Sequence, residues 1–179
     1  MKRRLSILAM LAAPSCVIAH NEFRLNVAPL SPVPLTRSAQ KRVAVVLRPS
    51  ALKPRYDMTV GMLSYTFTNS RALFEDGLRP ALRDKVAQLE FFGGEAEGGF
   101  DVYVYPKLEM DISTSLGSTC TVTVTFAVQG ADGRLLAQPS HTATRSYALV
   151  AAAGDECNSA LSEAVAAVVP VALAEIDNT

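Results

Sequence analysis

The side chains able to do chemistry in this 179-residue chain are few. They are three cysteines (Cys16, Cys120, Cys157), two histidines (His20, His141) and three carboxylates along one segment (Asp101, Glu109, Asp111). A metal site needs His, Cys or carboxylates clustered at ligand spacing, and the chain has no HxxH or CxxC motif. A hydrolytic triad lacks any nucleophile-elbow motif around the serines. Asp101, Glu109 and Asp111 fall on the polar face of one segment with Lys107 among them, the pattern of ordinary solvated charges. Gly93-Gly94 and Gly98-Gly99 flank Glu95-Ala96-Glu97. No Lys or Ser/Thr follows, and a strand comes next where a helix N-terminus is required, which excludes a phosphate-cradling loop. The sequence therefore nominates no catalytic residue, no metal ligand and no cofactor, and it reads as a non-enzyme.

The cysteines carry the more useful chemistry. Met1-Lys2-Arg3-Arg4 is a basic start, Leu5–Ala12 a short apolar run, Pro14 a helix breaker, and Val17-Ile18-Ala19 a cleavage site before His20. Residues 1–19 thus read as an export signal that is removed, the apolar run being too short to span a bilayer. A second processing route competes with it. Cys16 follows Ala13-Pro14-Ser15, which loosely resembles the lipobox of bacterial lipoproteins, where the cysteine is acylated and becomes the first mature residue. Both routes leave Cys120 and Cys157. An exported chain with two remaining cysteines is a disulfide candidate; the bridge would close a loop of about 38 residues and contribute roughly 4 kcal/mol in the chain-entropy picture. The alternative is two separately buried thiols.

The elements that position these residues follow from periodicity. Phe100–Ile112 alternates Phe100, Val102, Val104, Leu108, Met110 and Ile112 with Asp101, Tyr103, Tyr105, Lys107, Glu109 and Asp111, a long strand with one apolar face. Thr119–Val128 repeats the pattern, with Cys120, Val122, Val124, Phe126 and Val128 on one side and threonines on the other. Arg42–Leu47 reads as a covered strand. Met58–Phe67 reads as a strand whose alternation slips beside Gly61, the mark of a bulge. Asn69-Ser70 is expected to cap a helix reaching about Phe92, kinked at Pro80. Arg134–Tyr147 forms the last strand, with Pro139 demoting its first part to an edge. A closing helix after Asp155–Ser159 buries Leu161, Val165, Val168, Ala172 and Ile176, with Pro170 inside it. The expected fold is α+β, a mostly antiparallel sheet with two amphipathic helices packed on one face, in the order β-β-α-β-β-β-α. It occupies residues 42–179 as one domain, preceded by an extended proline-rich arm over 20–41.

The charges are balanced at 17 basic and 17 acidic residues, and removing Lys2, Arg3 and Arg4 leaves 14 basic against 17 acidic. That balance argues against nucleic acid, which calls for a basic stripe, and against a polybasic membrane-surface protein. The candidate binding surface is the polar face of the two long strands: Tyr103 and Tyr105 on one, Thr121, Thr123 and Thr125 (with Thr119) on the other. Such a broad uncharged surface with aromatics suits a partner protein or a lipid-like ligand. Tyr and Thr are equally good residues for a solvated strand.

Several stretches together resemble the YajG-type family of small envelope lipoproteins of Gram-negative bacteria. They are the apolar leader with Cys16, N-V-A-P-L-S-P-V-P-L at 26–35, R-A-L-F-E-D-G-L-R-P-A-L at 71–82, F-D-V-Y-V-Y-P-K-L-E-M-D-I-S at 100–113 and A-L-S-E-A-V-A-A-V at 160–168. The lipoproteins of lipopolysaccharide assembly and transporter accessory complexes are looser parallels. The resemblance implies an envelope location and no catalysis. The leading expectation is a non-catalytic periplasmic or outer-membrane-anchored protein without a cofactor, which binds a protein partner in envelope assembly or maintenance, or a second copy of itself, through its sheet edge or open sheet face. The alternative expectation is a carrier or sensor of an apolar ligand held between sheet and helices, with a cavity beneath Phe74 and Leu78. The intact mass of the native protein separates the processing routes. A chain starting at Cys16 with added acyl mass is anchored, one starting at His20 is free, and a gain of about two mass units on reduction reports the Cys120–Cys157 bridge.

Overall fold

One strand, with its alternating apolar side chains, collects most of the fold around it. The computed structural model describes residues 19–28, 30, 40–83, 85–113, 118–148 and 150–179; Cys16, the leader, Pro29, Pro32 and Pro34 lie outside them. In chain order the elements are β1 (Ala19–Arg24), β2 (Arg42–Val46), β3 (Arg55–Val60), β4 (Leu63–Thr68), α1 (Ser70–Leu82), β5 (Gln88–Phe92) and β6 (Val102–Ser113). They continue as β7 (Ser118–Gly130), β8 (Leu135–Ala137), β9 (Ser140–Tyr147), a 3-10 turn at Val150–Ala152 and α2 (Ala153–Asn178). β7 pairs antiparallel with β6 along one edge and with β8 and β9 in succession along the other. β2 adds to β6 in parallel, and β5 to β2 in parallel. A separate small sheet has the order β1-β4-β3, with β1 parallel and β3 antiparallel to β4.

The apolar face of β7, Cys120, Val122, Val124, Phe126 and Val128, is fully buried. α2 lies over β7 and β9, and its stripe of Leu161, Val165, Val168, Ala172 and Ile176 is buried. The same helix is long and apolar enough to cross a bilayer, a property shared by core helices that bury one side in this way. α1 reaches the same face of the sheet, Phe74 meeting Phe126 edge-on at 5.8 Å between centroids. Cys120 and Cys157 are joined by a disulfide, Cα–Cα 5.5 Å, which ties β7 to the second turn of α2. Each large side chain removed from water here contributes about 1.5–3 kcal/mol.

The small sheet closes the end of this core. Tyr65 and Phe67 are buried, Phe23 stacks on Phe67 at 5.4 Å, and the Tyr56 hydroxyl donates to the Leu108 carbonyl of β6 at 3.0 Å. Burial pushes the Tyr56 phenol up to about 12. Pro106 sits inside β6 without breaking it. β2 pairs with β6 only through Val43–Val45, so the missing N–H falls where that partner strand has already ended.

The structure corrects the sequence reading at several points. The slip at Gly61 is not a bulge in one strand but the turn of a hairpin, β3–β4, with Gly61 at φ 60°. The first helix ends at Leu82, not near Phe92, and Gln88–Phe92 is an edge strand parallel to β2. Asn69 does not cap α1 through its side chain; its amide donates to the Leu25 carbonyl at 3.3 Å. Cys157 lies inside α2, which begins at Ala153. The α+β architecture with two helices and mostly antiparallel pairing is as expected, but the strands form two sheets where one was expected, and three of the pairings are parallel. Phe100 precedes β6 and packs on the other face, with Ala44 and Val46.

The described part of the arm packs on the domain. Leu25 is 1% exposed, and α2 holds the chain beyond β1 through Asn158 and Ser162, which accept from the backbone N–H groups of Asn26 (2.9 Å) and Ala28 (3.0 Å). Gly154 makes room for it: a Cβ there would lie 2.3 Å from the Phe23 ring. Gly154→Ala is therefore expected to lower stability by about 1–3 kcal/mol through overpacking. In a urea-melt double-mutant cycle, Phe23→Ala should remove most of that penalty; additive effects would show that the two do not share the space.

Candidate bare face of the large sheet

The face of the large sheet opposite the helices has no element of secondary structure laid on it among the described residues. All five sequence-nominated residues lie on it. Tyr103 and Tyr105 project from β6, and Thr121, Thr123 and Thr125 from β7, half-buried by their neighbours. β9 supplies partners that the sequence reading did not include. Thr121 pairs with Thr144 (3.0 Å), Thr123 with Thr142 (2.8 Å) and Thr125 with Ser140 (2.7 Å), hydroxyl to hydroxyl. Such cross-strand pairs contribute about 0.2–1 kcal/mol each. The signal was present: Ser140, Thr142, Thr144 and Ser146 alternate just as the β7 threonines do.

Aromatics occupy the other half of the face. Phe92 and Phe100 meet edge-on at 5.5 Å, Phe100 and Tyr103 at 6.1 Å. The Arg48 guanidinium lies 4.4 Å from the Tyr105 ring centroid, within the range of a cation–π contact. Arg48 continues the alternation of Ala44 and Val46, which is how it could have been found. The loop of glycine pairs folds onto this patch through Ala96.

The carboxylates do not converge. Asp101 is held by Arg42: its carboxylate accepts from the Arg42 backbone N–H at 2.8 Å and from the guanidinium at 3.2 Å. Glu109 pairs with Lys107 at 2.8 Å. The histidines are apart: His20 reaches the Ser64 hydroxyl on the small sheet (3.3 Å), and His141 faces Glu163 of α2 (3.8 Å), which also binds Arg145. Among the described residues no group of three His, Cys, Asp or Glu is placed to hold a metal ion.

Phe74 and Leu78 are buried, Phe74 against Phe126 of β7. A cleft of about 810 Å³ lies between α1 and the arm, lined by Leu25, Val27, Leu30, Leu73, Pro80 and Ala81 with Arg24, Asp76, Lys85 and three asparagines (Asn26, Asn69, Asn158) among them.

What fold and face define is a disulfide-tied α+β domain with one covered and one bare sheet face. No family model matches the chain, and no curated protein matches it. Among solved structures it is similar to the PelC dodecamer from Paraburkholderia phytofirmans (TM-score 0.38, 14% identity, 77% of this chain and 93% of that one). It is also similar to the hypothetical protein CT253 from Chlamydia trachomatis (TM-score 0.44, 12% identity, 78% and 97%). A third is a minor lipoprotein from Acinetobacter baumannii (TM-score 0.36, 15% identity, 81% and 91%). Likenesses this distant carry no argument about what the chain does.

Asp101 joins the start of β6 to β2 at the rim of the bare face. The hydrogen bond from Arg42 is the main reason its carboxyl sits below the ordinary value of 3.8. A folded-state value below the unfolded one means stability that is complete above the unfolded value and lost as pH falls through the folded one. Urea midpoints measured from pH 6 down to about 3 should fall less steeply for Asp101→Asn than for the native chain; parallel curves would remove Asp101 from the acid response.

Proposed function

We propose that this is a non-catalytic cell-envelope protein, exported to the periplasm, that binds a protein partner or a second copy of itself through the bare face of its large sheet. Attachment to the outer membrane through Cys16 is part of the reading. The observation that carries it is the asymmetry of that sheet. One face is sealed by two helices, while the other presents aromatics, Arg48, a ladder of paired hydroxyls and, beside that ladder, the exposed Lys107, Glu109 and Asp111 of β6, with no element of secondary structure over them among the described residues. From strand spacing and length the face measures roughly 20 by 40 Å, close to the ~800 Å² per partner of a standard interface. The disulfide supports an oxidising compartment, the basic and apolar leader supports export, and the stretches resembling the YajG-type family agree with both.

The cleft beside α1 favours a second reading, a carrier of a lipid-like ligand, because its walls combine aliphatic side chains such as Leu25, Val27, Leu30 and Leu73 with polar ones such as Arg24, Asp76 and Lys85. Native mass spectrometry of the protein from its own envelope separates the two. A protein complex reduced to monomer by Thr123→Arg together with Thr142→Arg is the outcome expected of an interaction module. A monomer carrying a small-molecule adduct, unchanged by those substitutions, would overturn it in favour of the carrier.

A further inference from the structure

The β3–β4 hairpin ends in a bare apolar tip. Met62 is 67% exposed, more than Leu135 (49%) or Val171 (50%), the other large exposed hydrophobics among the described residues. Its position is fixed by Gly61, whose φ of 60° an L side chain rarely adopts. The sequence Met58-Thr59-Val60-Gly61-Met62-Leu63-Ser64 carries no charge. The nearest charged groups on the hairpin, Asp57 and Arg55, lie further down β3, where they bind each other at 2.6 Å.

The chain enters the small sheet at this same tip. Ala19, the first residue of β1, pairs with Leu63, the residue next to Met62. Only Val17 and Ile18, both apolar, separate Ala19 from Cys16, so the three Cα steps between them span at most roughly 10 Å. An acylated Cys16 therefore leaves almost no spacer: the strand end beside the tip would stand no more than about 10 Å from the anchored residue, a distance comparable to the headgroup layer of about 5–8 Å on each side of a bilayer.

We propose that the β3–β4 tip, led by Met62, is a membrane-contact wedge that seats the small sheet on a lipid surface beside the point where the chain is anchored. This rests on the envelope reading above, and in its anchored form on acylation of Cys16. The contact is apolar, so it is insensitive to salt, unlike a polybasic attachment. Its purpose is orientation: two adjacent points, the lipid chains and the tip, fix how the domain stands where one would leave it to swing.

The chain contains no tryptophan, so single indoles report position directly. Met62→Trp and, as a control of comparable exposure elsewhere, Leu135→Trp are made in the full chain, purified as processed in the cell, and mixed with phosphatidylethanolamine–phosphatidylglycerol vesicles containing brominated lipid. The expected result is a shift to shorter wavelength and loss of emission for Met62→Trp, unchanged by added salt, with Leu135→Trp emitting as in water. An acylated, vesicle-bound protein in which the Met62→Trp indole is unquenched, or both indoles are quenched alike, overturns the wedge. An intact mass beginning at His20 would instead end the acylation reading. The same quenching measurement on that free protein then decides the wedge alone: loss of emission at Met62→Trp keeps it, and none removes it.

Discussion

Everything in this molecule has to close on one apolar face of β7. Cys120, Val122, Val124, Phe126 and Val128 are buried there, and no single element could cover them. α2 lies along one part, α1 reaches another through Phe74, and the small sheet fills the end. Because side chains alternate strictly along a strand, the commitment of these five to the core forces the four positions between them, Thr121, Thr123, Thr125 and Ala127, to the opposite side. The hydroxyl ladder is thus the geometric counterpart of the core. The disulfide fixes the register of this arrangement at one point, joining the innermost helix to the innermost strand.

The parts that were legible in the sequence are those governed by a long, clean period. Thirteen residues of alternation in β7 and the apolar stripe of α2 leave little freedom, and the two cysteines fall on the surfaces that face each other. What was misread is short or locally ambiguous. Val86 and Leu89 fit the apolar stripe of a helix continuing from Leu82, and only parallel pairing with β2, a contact distant in the chain, makes Gln88–Phe92 extended. A hairpin with a two-residue turn exchanges the inward phase just as a bulge does, so Gly61 alone does not distinguish them. β1 has no strong pattern, and its strand exists because β4 offers an edge.

The candidate face was half legible for the same reason. Tyr103, Tyr105 and the β7 threonines could be placed on it from alternation. Arg48 follows β2, Phe92 ends β5 and Phe100 comes from the loop after it, and their meeting on Tyr103 and Tyr105 depends on the parallel register of β2 with β5 and β6. Pro106 shares in that placement. It marks how far β2 can accompany β6, and beyond it Leu108 donates its N–H to the Ala51 carbonyl of the connecting loop.

The bond between Cys120 and Cys157 also sets an order of events. A chain that emerges N-terminus first, from a ribosome or through a translocation pore, presents Cys120 when β7 is complete but α2 is not yet available. The cysteines are 37 residues apart, a delay of roughly 2–7 s at ordinary rates of chain growth. During that interval the most apolar strand of the protein lacks its cover, and its thiol has no native partner. The nascent domain is then at its most exposed to wrong cross-links and to aggregation, and only the arrival of the last helix ends both hazards at once.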